Sequence, residues 1–181
     1  FTQNFNALIL KDLKYLFAYT MPLSVYLSFA SHGIWTYTTV FYAFLVIPIL
    51  DVLSGEKTDN LQDEDASYKK TKWIFDVMLY LNVPIVFGIL AFGLHMVQTG
   101  SYERYELIGL ALSGGILLAT NGINVAHELG HRKPLAERLM SKLLYMPCLY
   151  MHFFIEHNYG HHKRVATPED GATARYNQTV Y

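Results

Sequence analysis

Charge is what this 181-residue sequence has least of: Asp, Glu, Lys and Arg supply 16% of it, against 52% hydrophobic residues. Soluble domains carry about a quarter charged residues. The shortfall argues against an ordinary water-exposed domain and for a membrane protein. A net charge of −1 offers no basic excess or stripe, so nothing supports nucleic acid as a partner. The lone cysteine, Cys148, cannot form an internal disulfide, and no oxidising compartment is implied. It reads as a small apolar packing residue, because no catalytic partner stands beside it. No internal repeat, low-complexity tract or phosphate-binding glycine motif is present, and Gly114-Gly115 reads as a close helix-packing point. No cleavable signal is visible and the chain opens at Phe1, so it is read as a piece of a longer protein.

What is present is long apolar sequence. After Lys11, Asp12 and Lys14, no charged residue appears from Tyr15 to Leu50. As helix that stretch reaches roughly 54 Å against a hydrocarbon core of about 30 Å, enough for two crossings. Ser31-His32-Gly33 is the expected turn between them, with Pro22 and Pro48 as kinks that neighbouring helices can accommodate. A polar loop at 54–72, with Lys57, Lys69, Lys70, Lys72 and five acids, precedes uncharged runs at Val77–Tyr102 and Leu107–Ala126. The expected fold is all-α and polytopic, with crossings near 15–31, 34–53, 77–98 and 107–126. Arg104 alone lies on one side and thirteen basic residues on the other, which the positive-inside rule makes cytoplasmic. The fifth apolar stretch has about 13 uncharged residues between Lys142 and Glu156, too few to cross. Residues 138–155 are therefore expected to lie at the interface or to dip in and return.

The chemistry sits between 127 and 162. His127-Glu128-Leu129-Gly130-His131 follows the fourth apolar run, and Glu156-His157-Asn158-Tyr159-Gly160-His161-His162 follows the fifth. Residues four apart share a helix face, so His127 with His131, and His157 with His161, are expected to reach one cation. His162 turns to the next face, where it would serve a second. His152 is ambiguous, and His32 and His95 read as interfacial. The first cluster also fits the H-E-x-x-H pattern of zinc proteases, with Glu128 activating water. Five imidazoles exceed the need of one open tetrahedral zinc, and two metals fit better.

At these residues the chain resembles the integral-membrane alkane 1-monooxygenases, within the histidine-box family that also holds membrane fatty-acid desaturases and xylene monooxygenase. The resemblance rests on His127–His131, on Phe153-Phe154-Ile155-Glu156-His157-Asn158 running into Gly160-His161-His162, and on Val165-Ala166-Thr167-Pro168. Weaker similarity, including Pro48 and Asp51, covers nearly the whole chain. It implies a bacterial inner-membrane enzyme with its active site on the cytoplasmic side. Two Fe ions, O2 and electrons from rubredoxin, fed by rubredoxin reductase, would turn medium-to-long-chain n-alkanes into primary alcohols. His127, His131, His157, His161 and His162 match the family's iron ligands; its later histidine box and a further histidine motif are not in these 181 residues.

Ligating histidines usually donate their free N–H to a carboxylate or carbonyl, and Asp51, Glu156, Glu169 and Asp170 are the candidates on the right side. An apolar substrate would enter from the membrane lipids between the spans, with Trp35, Phe41 and Phe44 as candidates for limiting its length. Association into a homo-oligomer is left open. The competing readings are a desaturase or xylene-type hydroxylase, a zinc metalloprotease that would need Glu128, and a metal transporter.

Overall fold

Uncharged segments in a bilayer must satisfy every backbone N–H and C=O internally, and the computed structural model does so with helices. It describes residues 13–55 and 73–179, with no strand among them. Lys11, Asp12 and nearly all of the 54–72 loop, its four lysines included, lie outside the described residues. A 3-10 run, Leu13–Tyr19, leads into α1, Thr20–Phe29. Then come α2, Gly33–Ser54; α3, Trp73–Thr99; and α4, Arg104–Gly130.

The last three, of 22, 27 and 27 residues, are long and apolar enough to cross a membrane. They contain the crossings expected at 34–53, 77–98 and 107–126. The first expected crossing is helical but has only ten α-helical residues, extended by seven of 3-10 helix. At 2.0 Å rise per 3-10 residue and 1.5 Å per α residue this pair covers roughly 29 Å. It travels alongside α3 in the same direction: Tyr15 meets Phe75 edge-on at 5.1 Å, Tyr19 donates to the Met78 carbonyl at 2.6 Å, and Tyr26 stacks on Phe92 at 5.0 Å.

α4 runs the other way. Its histidine end meets the start of α3, Arg132 to Asp76 at 2.5 Å, and deeper in the bundle Asn121 donates to Asn82 at 2.8 Å. At the opposite end α2 and α4 start together. Gly33, with φ of +64°, makes the expected turn, a conformation that favours glycine. Its N–H is held by Glu106, and Ser113 donates to the Thr36 carbonyl at 3.0 Å. Gly93 and Gly109, rather than Gly114-Gly115, are the tight packing points: a Cβ at Gly93 would strike Phe29 and one at Gly109 would strike Thr36, while Gly115 faces open space. A π-helical turn, Tyr42–Val46, directly precedes Pro48, whose ring crowds the carbonyl four residues back.

After Gly130 the chain turns into α5, Leu135–Tyr145, reverses through 146–152, and returns as α6 over 153–164. Small residues make the close approach possible: Gly122, Ala126 and Gly130 repeat every fourth position along α4 and all three are buried. The core runs from Val25 and Phe29 through Leu117 and Ala126 to Leu144, Tyr145 and Phe154.

Candidate metal centre

α4 carries His127 and His131 past the end of its apolar run, one turn apart. α6 brings its histidines back against them. The Nε2 of His157 lies 2.6 Å from that of His127, 2.9 Å from that of His162 and 3.3 Å from that of His131. One ligand atom from each of the four falls within 4.8 Å of the others.

This grouping departs from the expected one. His162 joins the first cluster, while His161 turns away to Asp170, its Nδ1 2.8 Å from Oδ2. The cause is a π-helical turn over Glu156–His161. Widening the turn to i→i+5 bonding places residues five apart, His157 and His162, on the face that α-helical spacing assigns to His157 and His161.

The arrangement fits a cation. A neutral imidazole Nε2 is a donor or an acceptor, never both, so His157 can satisfy at most one of its three neighbours at a time through hydrogen bonding. A metal ion satisfies all four lone pairs together. Burial, then the charges of His127, His162, His131 and His161, push the His157 pKa down to about 4, and the same effects lower that of His131. Both rings are therefore neutral, the form that ligates, at neutral pH. An all-imidazole donor set suits iron, zinc, copper or nickel.

Of the four candidates Asp51, Glu156, Glu169 and Asp170, Asp170 is the one the structure brings to a histidine of the two clusters. Its side chain is 4% exposed and also accepts from the Thr173 hydroxyl and, at 3.1 Å, the Ala172 N–H. These bonds, Thr173 foremost, hold its carboxyl below the usual range. Such a carboxylate fixes the ring and leaves the His161 Nε2 as its open nitrogen. Glu156 and Glu169 line the same cavity, with His152, but bond no histidine. Asp51 is exposed near the end of α2, and no hydrogen bond joins it to the cluster. Glu128 is not among the four converging groups and pairs with Arg132 at 3.5 Å.

Two features escape a reading of the sequence. Arg132, next to His131, bonds Asp76 of α3 and, at 3.2 Å, Glu137 of α5, which also takes the Tyr80 hydroxyl. Burial alone would lower the Arg132 pKa, but its hydrogen bonds to Asp76 and Glu137 and their negative charges raise it. A cavity of about 490 Å³ lies between the 3-10 run, α3 and α4, walled by Phe75, Met78, Leu79 and Val125, with Asn82 and Asn121 inside it and Glu128 at its rim. Trp35, Phe41 and Phe44 do not line it. They are 68%, 48% and 73% exposed on the outside of α2. Polar residues inside apolar spans, such as Asn82 and Asn121, were the available signal for this cavity.

Spanning helices that end in a convergent histidine cluster define an integral-membrane protein with a site able to hold metal. Among known proteins, the chain is 38% identical over 161 residues to an alkane 1-monooxygenase of Pseudomonas putida, covering 82% of this chain and 39% of that protein. It is 36% identical over 172 residues to alkane 1-monooxygenase 1 of Alcanivorax borkumensis, covering 93% and 42%. Identity to the hydroxylase component of the Pseudomonas putida xylene/toluene monooxygenase is 26% over 156 residues, 84% of this chain and 40% of that protein. No protein-family model matches the chain. The chain belongs to the alkane 1-monooxygenase family, and spans about two fifths of the length of these curated relatives.

Proposed function

We propose that the chain forms the first part of a di-iron membrane oxygenase that hydroxylates the terminal methyl of n-alkanes. In balance, R–CH3 with O2, two electrons and two protons gives R–CH2OH and water. The convergence of the His127, His131 and His162 Nε2 atoms on that of His157, at the end of a membrane span, carries the reading. His127, His131, His157 and His162 would hold one iron. His161, oriented by Asp170, would contribute to a second, completed by residues outside this chain. Iron when bound supplies the activation of O2.

The chain's own residues do the rest. α4 and α6 fix the histidines from opposite sides, and Arg132 ties that end of α4 to α3 and α5. The apolar cavity beside Glu128 offers an n-alkane a dry route from the lipid, taking the place of α2's outward aromatics as the substrate chamber. In this reading the chain makes four crossings, counting the Leu13–Phe29 segment beside α3, and its histidines face the cytoplasm at the bacterial inner membrane, where rubredoxin, reduced by its reductase, would deliver the electrons. Seven of the described basic residues, Arg132 to Arg175, lie from the histidine end onward, and Arg104 lies at the other. The pairing of Glu128 with Arg132 favours the oxygenase over the protease reading, which needs Glu128 free to activate water.

Metal analysis and Mössbauer spectroscopy of the full-length protein, purified from membranes without added metal, test the proposal. Close to two irons in nitrogen-rich sites, with octane hydroxylation driven by reduced rubredoxin, are the expected results. One zinc and no iron would overturn it.

A further inference from the structure

The segment between the two histidine clusters is placed by its contacts with α4. Descending along α5, Ser141 donates to the Ala126 carbonyl at 2.6 Å. Cys148 lies 3.2 Å from where a Cβ on Gly122 would stand, and its thiol faces the Leu118 carbonyl at 3.7 Å. Leu118 is twelve residues before Gly130 along a spanning helix, roughly 18 Å at 1.5 Å per residue. The chain then climbs back, with Phe154 against Gly130 at 3.4 Å and His157 against His127. Because α4 crosses the membrane, a segment antiparallel to it over that length is carried below the surface.

Three further observations agree with that depth. Glu137 and Arg138 come before Ser141, the residue at the level of Ala126, Lys142 directly follows it, and no charge appears after that until Glu156. The Arg138 and Lys142 cations lie over the Phe154 ring, at 5.4 and 5.1 Å, their stems spanning the boundary. In the reversal, Pro147 has no N–H, and those of Cys148, Leu149 and Tyr150 bond the carbonyls of Tyr145 and Met146, which reduces the unpaired backbone the segment carries at membrane depth. At the tip Leu149 is 88% exposed, and Met146 and Met151 are each 47% exposed. His152 faces the cavity shared with His161 and Asp170 instead.

We propose that residues 143–155 are a re-entrant dip into the hydrocarbon on the histidine side, with Met146, Leu149 and Met151 against lipid acyl chains. The dip brings Tyr145, Tyr150 and Phe153 up beneath His127 and His157 as an aromatic floor, with Phe153 stacked on His157 at 4.8 Å. Nothing in this inference depends on the metal or on the reaction.

A nitroxide label at Leu149→Cys in a Cys148→Ala background, in the full-length protein reconstituted in lipid nanodiscs, reads the environment directly. The expected spectrum gains broadening by oxygen and loses broadening by a water-soluble nickel chelate relative to a label at Lys133→Cys, and matches one at Leu112→Cys in mid-α4. A label at Met151→Cys repeats the measurement if the first variant does not fold. Broadening by nickel would place the tip in water, and protection from both reagents would mean that protein covers it. Either result overturns the proposal.

Discussion

The two ends of this helix bundle handle polar groups in opposite ways. At the end where α2 and α4 begin, Glu106 is 5% exposed yet fully used: it accepts from the Gly33 N–H and the Glu103 N–H and sits 3.6 Å from His32. Both Glu106 oxygens are matched by donors, although the buried Tyr102 hydroxyl beside His32 has no partner among the described residues. At the histidine end, Arg132 is equally well matched by three carboxylates, but the four imidazoles beside it crowd one another, and His157 faces three ring nitrogens that it cannot all satisfy. A site able to bind is recognisable here as the place where protein groups leave one another unsatisfied.

That contrast can be broken, starting where the effect is largest. His157→Ala removes the nitrogen common to all three close pairs. Metal measured by mass spectrometry on the full-length protein should fall below detection, while Glu106→Gln at the far end leaves it unchanged. Asp170→Asn keeps the shape but loses the anchor of His161, and a chelator-competition titration should show affinity lower by about 10–100-fold. Arg132→Met leaves Glu137, whose side chain is 10% exposed, with only Tyr80, at a cost of about 1–3 kcal/mol. Thermal melts should record that loss even in metal-free protein, where His157→Ala should show little. Glu106→Gln should give a smaller drop in melting temperature than Arg132→Met. If Glu106→Gln instead lowered metal content, the two ends would not be independent.

The sequence was informative where one period governs. Uncharged run lengths located α2, α3 and α4, and four-residue spacing paired His127 with His131, because α4 is regular α-helix there. The same rule failed at His157–His162, since a π turn gives no compositional sign and exchanges the roles of His161 and His162. Run length also excluded a crossing by 143–155, although the direction of its path became visible only through Gly122, Ala126 and Gly130. Contacts between distant elements were invisible: Arg132 with Asp76, and the cavity beside Glu128, depend on how α3 meets α4. Trp35, Phe41 and Phe44 looked suited to a tunnel by size, but size does not determine which side of a helix faces inward.

Because the four nitrogens come from segments thirty residues apart in sequence, the cluster also sets an order of assembly. His127 and His131 are in place once α4 has entered the membrane. His157 and His162 arrive only after 135–164 has folded back, bringing two more ring nitrogens up against those of His127 and His131. An ion bound there would be the last component to be added and would latch the returning segment, so that loading and final folding would become a single event. A cell short of the metal would accumulate a protein that is inserted and threaded but not shut.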